Sequence, residues 1–279
     1  MPSASAWIVL LFACGLLTWS AASCAGGSSA GGGGSGGAEL KPGARWAPQL
    51  TDSFQYQLSG KLDTRLDADI FDIDLYETST SDIDALHAQG RKVVCYFDTA
   101  YEPYRPDAKQ LEPYRGGPIA GWPGQYWVDL REPAVVAVML ARLDMAQRKH
   151  CDGVEGDDVD ARNNQPGFPL TAADQQAFIR KLAAAAHARG LAYGLKNDLD
   201  DVAALLDDVD FEVNEECFQY EECETLTPFV RAGKPVFNIE YSDGDLGEKA
   251  KQICPEAKRL GMKSLIKHID LDAARYACP

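Results

Sequence analysis

The chain has 279 residues, and its 42 Asp and Glu residues outnumber 27 Lys and Arg, so the formal net charge is −15. A folded protein this acidic repels nucleic acid and anionic membrane surfaces, which excludes both as partners. Two explanations of the charge stay open: solubility outside the cell, or attraction of a polycationic substrate.

The first predicted element is an export signal. Residues 7–17 form an apolar run that is too short to span a bilayer but fits a signal peptide, which we assign to residues 1–23. The small residues before Cys24 resemble a lipobox, although no Lys or Arg precedes Trp7 and Ala21 stands where leucine is usual. Lipidation of Cys24, as the sole link to a membrane, and plain secretion both stay open. Either one predicts a location outside the cell or at its surface.

A tether and one domain make up the rest of the chain. Residues 24–38 are rich in Gly and Ser and cannot bury enough apolar surface to offset chain entropy, which predicts a flexible tether. Residues 39–279, about 240 in number, match the length of one TIM barrel. Strands and helices alternate in this domain, which predicts a single (β/α)8 barrel. The predicted strands are residues 53–59, 70–75, 92–97, 153–157, 192–196, 209–214, 235–240 and 264–269.

The connections between these strands carry helix signals. Thr171 and Asp174 predict a capping box at the start of one helix, which Gly190 ends, and Pro133 opens another. Three further helices are expected to end at Gly90, Gly233 and Gly261. Only about ten residues separate the first two strands, too few for a full crossover helix. The first βα unit is therefore abbreviated, or the first strand is misplaced.

Six cysteines lie in the predicted domain, and an even number in an exported chain indicates disulfides. Among the possible pairings we expect Cys217 with Cys223, Cys254 with Cys278, and Cys95 with Cys151. The four histidines are scattered singly and no CxxC pair occurs, so neither a metal site nor another cofactor is expected.

The long segment 98–130 is unusually rich in aromatic residues. Sugar rings stack on such side chains, and loops after barrel strands meet the substrate. The alternative, that the rings pack the loop onto the barrel, is favoured for most of them. Trp127, beside Asp129, is the predicted sugar subsite. The aromatic residues are Tyr101, Tyr104, Tyr114, Trp122, Tyr126 and Trp127.

Two carboxylates at strand ends suggest the chemistry. Asp157 ends the strand 153–157, and Glu215 directly follows the strand 209–214. In a parallel barrel, side chains at the C-terminal ends of strands reach one cleft. Cleavage of a glycosidic bond requires one ionised and one protonated carboxyl group, so this pair predicts a glycosidase. One acid could instead pair with Lys196 on the intervening strand, a contact that would itself hold a carboxylate ionised.

Several long motifs resemble those of glycoside hydrolase family 114, the endo-α-1,4-polygalactosaminidases, from about Trp46 onward. They are KVVCYFD, WPGQYWVDLR, RLDMAQRKHCDGVEGDDVDARNN, GFPLTAADQQAFIRKLAAAAHARGLAYGLKNDLDD and VDFEVNEECFQYEEC. The resemblance implies a TIM-barrel enzyme that cuts α-1,4-linked galactosamine within galactosaminogalactan-type polymers with retention of configuration. It also implies that Asp157 is the nucleophile and Glu215 the acid/base. The chain departs from the expected family pattern at Gly156 and Asp158, and an extra acid beside Asp157 would raise the pKa of the nucleophile unless screened.

A cationic galactosamine polymer fits the negative charge of the chain. Asp74, Asp98 and Glu240 are candidates for binding its ammonium groups and hydroxyls, although each could instead form a buried ion pair or support other site residues. Tyr96, Lys196, Asn197 and Tyr241 are further candidate substrate contacts. We expect a monomer.

Two alternatives stay open beside this function. One is a related α-glycosidase that acts on a different polymer. The other is a carbohydrate-binding lipoprotein without turnover, for which Asp158 is the suspicious change. Outside the low-complexity tether of residues 24–38, no HExxH, GxSxG or phosphate-binding glycine motif occurs, which argues against metal hydrolases, serine hydrolases and nucleotide enzymes.

Overall fold

A computed structural model describes residues 45–279. The strands are β1 (Phe54–Gln57), β2 (Ile70–Asp74), β3 (Lys92–Asp98), β4 (Arg115–Pro118), β5 (Tyr126–Val128), β6 (Gly153–Asp157), β7 (Ala192–Lys196), β8 (Phe211–Glu215), β9 (Val236–Tyr241), β10 (Lys263–Lys267) and β11 (Tyr276–Ala277). The α-helices are α1 (Thr80–His87), α2 (Ala108–Leu111), α3 (Pro133–Arg148), α4 (Ala172–Ala188), α5 (Val202–Leu205), α6 (Thr227–Arg231) and α7 (Leu246–Leu260). The predicted signal peptide, Cys24 and the tether lie outside the described residues.

The main sheet has nine strands in the order β1-β2-β3-β6-β7-β8-β9-β10-β11. Neighbours are parallel from β1 to β10, and β11 is antiparallel to β10. Strands β4 and β5 form a separate hairpin within the segment after β3. Each of the eight predicted strands is present, and residues 58–69 form turns without a helix. The first βα unit is therefore the abbreviated one.

The helices begin and end at the predicted signals. The Thr171 hydroxyl accepts a hydrogen bond from the Asp174 backbone at 3.2 Å, and the Asp174 carboxylate accepts one from the Thr171 backbone at 2.9 Å, which completes the capping box of α4. Pro133 occupies the first turn of α3. Left-handed glycines follow α1, α4, α6 and α7 at Gly90, Gly190, Gly233 and Gly261.

Alternation along the strands divides the core into two layers. Outward-facing residues pack against the helices, whereas one inner cluster combines side chains of β1, β2 and β3 with those of β7 to β10. Within it the rings of Phe54 and Phe237 lie 4.8 Å apart. Because β1 thereby meets β9 across the interior, the sheet is strongly curled, as in TIM-barrel-type α/β proteins.

The C-terminal segment lies beside the first strand. The backbone nitrogens of Leu58 and Ser59 donate to the Leu271 carbonyl at 3.0 and 3.2 Å, and Arg275 donates to the Phe54 carbonyl. The disulfide Cys254–Cys278 ties the end of this segment to α7. The C-terminal segment thereby connects the β10 edge of the sheet to β1.

The other two predicted disulfides, Cys95–Cys151 and Cys217–Cys223, are also present. The first links β3 to the residues before β6, and the second closes a short loop after β8. None of the helices in residues 45–279 is both long and apolar enough to span a membrane.

Candidate active site

A cleft of about 550 Å³ opens at the C-terminal ends of the parallel strands. Inward-facing positions repeat every second residue along a strand, so the last inward residue of each strand reaches this cleft. Of the predicted site residues, its lining includes Asp74, Tyr96, Asp98, Trp127, Asp157, Asn197, Glu215 and Tyr241. A smaller pocket of about 240 Å³ adjoins it and shares Asp74.

The Lys196 ammonium lies at the floor of this cleft, and its side chain is only 1% exposed. Its Nζ is 3.2 Å from Asp157 Oδ1 and 3.4 Å from Glu215 Oε2. The two predicted catalytic carboxylates therefore converge on one buried cation. Pairing with Lys196, which stood as an alternative for one acid, occurs for both and brings them together.

Donors surround the Asp157 carboxylate on both oxygens. The Tyr96 hydroxyl donates to Oδ2 at 2.8 Å, and the Asp158 backbone nitrogen donates to Oδ1 at 2.9 Å, beside Lys196. Burial and the Asp157 charge raise the pKa of Tyr96 well above its usual value, so its hydroxyl keeps the proton that it donates. This environment suits a carboxylate that must carry negative charge.

Glu215 is held by two neighbouring strands. Tyr241 on β9 donates its hydroxyl proton to Glu215 Oε1. Asn197, just after β7, accepts a hydrogen bond from the Glu215 backbone at 2.9 Å and another from the Asn214 side chain at 3.2 Å. Asn197 has a φ of 51°, a left-handed conformation that asparagine tolerates, and this aims its amide at the end of β8. Asn197 therefore holds the backbone of Glu215 in place while it also lines the cleft.

The surroundings of Asp158 disfavour a second negative charge beside Asp157. Burial raises the pKa of Asp158 well above its usual value, and the charges of Asp98 and Asp157 and a hydrogen bond to Asp98 act in the same direction. Burial raises the pKa of Asp98 to about 7, and the negative charge of Glu102 is the next largest cause. These effects favour the protonated form of Asp158, which lessens the charge that this extra acid places beside Asp157.

Two of the predicted substrate-binding acids have structural partners. Asp74 forms a buried ion pair with Arg105, with Oδ2 and Nη2 2.7 Å apart, and it still lines the cleft. The structure corrects the assignment of Glu240 as a substrate-binding residue. It accepts a hydrogen bond from the Phe218 backbone at 2.9 Å and lies on the outer face of β9, whereas the next residue, Tyr241, faces inward.

Among the aromatic residues, Trp127 lines the cleft but is only 4% exposed, and Asp129 beside it pairs with Arg131. The exposed rings of the cleft are those of Trp122 and Tyr104, 52% and 64% exposed. These two rings, rather than that of Trp127, are open to stacking by a sugar.

Comparisons with known proteins identify the family of this chain. The model of the glycoside-hydrolase family GH114 matches residues 37–279. The chain belongs to family GH114. As a GH114 member it is a glycoside hydrolase, which confirms both the resemblance and the enzyme class inferred from the sequence.

Two solved structures have a fold similar to that of this chain. The crystal structure of Aspergillus fumigatus Ega3 in complex with galactosamine superposes with a TM-score of 0.80 at 38% identity, covering 84% of this GH114 chain and 98% of that one. The glycoside hydrolase domain of PelA from Pseudomonas aeruginosa has a TM-score of 0.63 at 15% identity, covering 81% and 97%, and shows the shared fold. An uncharacterized protein of Deinococcus radiodurans is 30% identical over 224 residues, which are 67% of this chain and 71% of that protein.

Sequence reasoning missed several residues at the GH114 site. Glu155 is buried two residues before Asp157, and Tyr56 and Asp72 lie beside it in the interior. The two-residue spacing from Asp157 was an available signal for Glu155, since it places both on the inner face of β6. In residues 45–279, no cluster of three or more His, Cys, Asp or Glu side chains is arranged to hold a metal ion.

Proposed function

We propose that this GH114 enzyme is an exported endo-glycosidase that hydrolyses α-1,4-linked galactosamine in galactosaminogalactan-like polysaccharide. The observation that carries the proposal is the convergence of Asp157 and Glu215 on Lys196 at the floor of an acidic cleft. The Ega3 structure, 38% identical, contains galactosamine. A polymer of free galactosamine is cationic, and the net charge of −15 would attract it.

The proposed mechanism uses Asp157 as nucleophile. It attacks the anomeric carbon while Glu215 gives its proton to the leaving glycosidic oxygen, which forms a glycosyl ester on Asp157. Glu215 then takes a proton from water, and this water releases the sugar and restores Asp157. Exposed Trp122 and Tyr104 would stack on sugar faces along the cleft.

Retention of configuration is favoured by the spacing of the two carboxylates. The oxygens that face Lys196 cannot be further apart than the sum of their distances to Nζ, about 6.6 Å. Retaining enzymes have carboxyl groups roughly 5 to 5.5 Å apart and inverting enzymes roughly 6.5 to 9.5 Å. This upper limit excludes most of the inverting range, and the family resemblance implies retention, so the proposed first product is an α-anomer, which an NMR spectrum recorded during hydrolysis would show.

The proposal also covers the closure of the barrel, the oligomeric state and the N-terminal residues. We infer a closed (β/α)8 barrel over residues 39–279 in a monomeric enzyme, with residues 1–23 as export signal and residues 24–38 as tether. The three disulfides support export, because such bonds persist in oxidising compartments. Lipidation at Cys24 would add a surface anchor, and mass spectrometry of the membrane fraction would detect it.

Reducing-end release from partly deacetylated α-1,4-galactosaminogalactan tests the proposal. We expect activity in the purified protein and a loss of at least about a hundredfold in Asp157→Asn and Glu215→Gln, because each removes a group that acts on the reacting bond. Asp144→Asn and Glu248→Gln make the same chemical changes on exposed parts of α3 and α7 and should retain activity.

The same assay distinguishes the alternatives. Cleavage of neutral or fully acetylated polymer, with none of the amine-bearing one, would point to a related α-glycosidase with a different substrate. Binding without product release at any pH from 4 to 9 would contradict turnover and support a carbohydrate-binding protein.

A further inference from the structure

A second layer of polar side chains lies beneath the catalytic carboxylates. Glu155 is completely buried, and its Oε1 lies 2.9 Å from Lys196 Nζ, closer than either Asp157 or Glu215. The Tyr56 hydroxyl donates to the same Glu155 oxygen at 3.1 Å and lies 3.2 Å from Nζ. The shortest contact of the ammonium is therefore with a residue outside the proposed chemistry.

Glu155 has a second buried acid beside it. Within residues 45–279, Glu155 Oε2 and Asp72 Oδ1 are buried and accept no hydrogen bond from an N–H or hydroxyl group. Burial raises the pKa of Asp72 well above its usual value, and the charge of Glu155 and a hydrogen bond with it act in the same direction. Burial also raises the pKa of Glu155, whereas Lys196 and the hydrogen bond from Asp72 lower it. Glu155 contacts the Lys196 ammonium at 2.9 Å and Asp72 does not, so the pair is most stable with its proton on Asp72 and its negative charge on Glu155.

Charge balance gives this pair a role. One buried ammonium faces four carboxyl groups, those of Asp72, Glu155, Asp157 and Glu215. Glu155 contacts the ammonium directly and therefore offsets the charge of Lys196 from below. Lys196 therefore contacts Asp157 and Glu215 from a fixed position, but the net positive charge that acts on them is reduced.

We infer that Glu155 is a positioning residue of the glycosidase, which fixes the Lys196 ammonium between Asp157 and Glu215 and sets how strongly its charge acts on them. The inference rests on the proposed roles of those two carboxylates. Six strands contribute side chains to the surroundings of Lys196. The facing groups are Tyr56 on β1, Asp72 on β2, Tyr96 on β3, Asp157 on β6, Glu215 on β8 and Tyr241 on β9, with Tyr193 and Glu212 behind β7 and β8.

The pH profile of kcat/KM tests this role. Glu155→Gln removes the negative charge below Lys196, so more of the positive charge of the ammonium acts on Asp157 and Glu215. We expect the basic limb of the profile to move down by about one pH unit. Asp72→Asn is the matched control, because an amide also donates to Glu155 and leaves the charge unchanged; its basic limb should stay in place.

A loss of kcat with an unmoved basic limb would assign Glu155 a purely structural role and overturn the inference. So would a limb that moves in Asp72→Asn but not in Glu155→Gln, since Asp72 would then carry the charge. Circular dichroism establishes that both variants are folded.

A measurement on the parent protein does not depend on turnover or on variants that fold. In a ¹³C-carboxyl NMR titration, Asp72 should keep the shift of a protonated acid through pH 7 while Glu155 has that of a carboxylate. Glu155 protonated at pH 7 would overturn the inference even if the enzyme is active. An inactive parent with the expected titration would instead contradict the proposed function and leave the buried pair as described.

Discussion

The proton of the proposed acid/base depends on individual side chains around Glu215. Tyr241 donates to Glu215 Oε1, and burial together with the Glu215 charge raises the pKa of Tyr241 far above its usual value. The tyrosine therefore stays a donor over the whole working range of pH. A donor to a carboxylate stabilises its ionised form.

Tyr241→Phe removes the hydrogen bond that Tyr241 donates to Glu215 while the ring is kept, so the negative charge of Glu215 is less well stabilised. We expect the basic limb of kcat/KM to move up by about half to one pH unit, the opposite direction to Glu155→Gln. Tyr276→Phe, an exposed residue on β11, is the control and should leave the limb in place. A downward shift in Tyr241→Phe would contradict the proposed hydrogen-bond role.

At this scale, strand-end position predicted for some residues, but not for others, whether the side chain reaches the cleft. Asp157 and Glu215 were predictable because each ends a recognisable strand whose neighbours fix which face is inward. Glu240 was misassigned because one residue along β9 exchanges the two faces of the sheet. The exposure of Trp122 and the burial of Trp127 depend on how a long segment folds back, which local sequence does not encode.

The regular elements were predictable because their signals are local. Strand bounds agreed to within two residues, and the capping box of Thr171 and Asp174 marked the start of α4. The hairpin of β4 and β5 was not predicted. A Cβ on Gly116 would lie 2.0 Å from the Pro166 carbonyl oxygen, so this glycine is required by contact with a distant loop. The residues next to Gly116 in the sequence do not indicate such a contact.

The disulfide between α7 and the chain end should stabilise the C-terminal segment against β1. Replacing Cys254 and Cys278 by alanine opens a 24-residue loop and should lower the free energy of unfolding by about 3 kcal/mol. Urea denaturation followed by circular dichroism measures this. Replacing Cys217 and Cys223, only 6 residues apart, serves as comparison and should cost about 2 kcal/mol. An equal or smaller loss in the first pair would show that the segment is held by its hydrogen bonds alone.

Buried acids give the whole molecule an unusual dependence on pH. Burial, followed by neighbouring carboxylates, raises the pKa of Asp160 to about 6 and that of Asp198 to about 8, alongside Asp98 at about 7. Folding therefore holds protons that the unfolded chain releases near pH 4. Other carboxyl groups act in the opposite sense; hydrogen bonds from Arg131 lower the pKa of Asp129, for example.

The signs of these shifts predict that the free energy of unfolding is largest in weak acid. Stability from a raised pKa is fully present below the unfolded value of 3.8 and is lost as pH rises through the folded value, here between about 4 and 8. Stability from Asp129 is lost only when pH falls below about 4. Melting temperature measured from pH 4 to 9 at constant ionic strength should thus decline above about pH 6. Asp198→Asn cannot lose a proton and should flatten the decline, whereas exposed Asp144→Asn should not; a melting temperature that rises from pH 5 to 8 would contradict the assignment, because the buried acids would then be ionised at little cost.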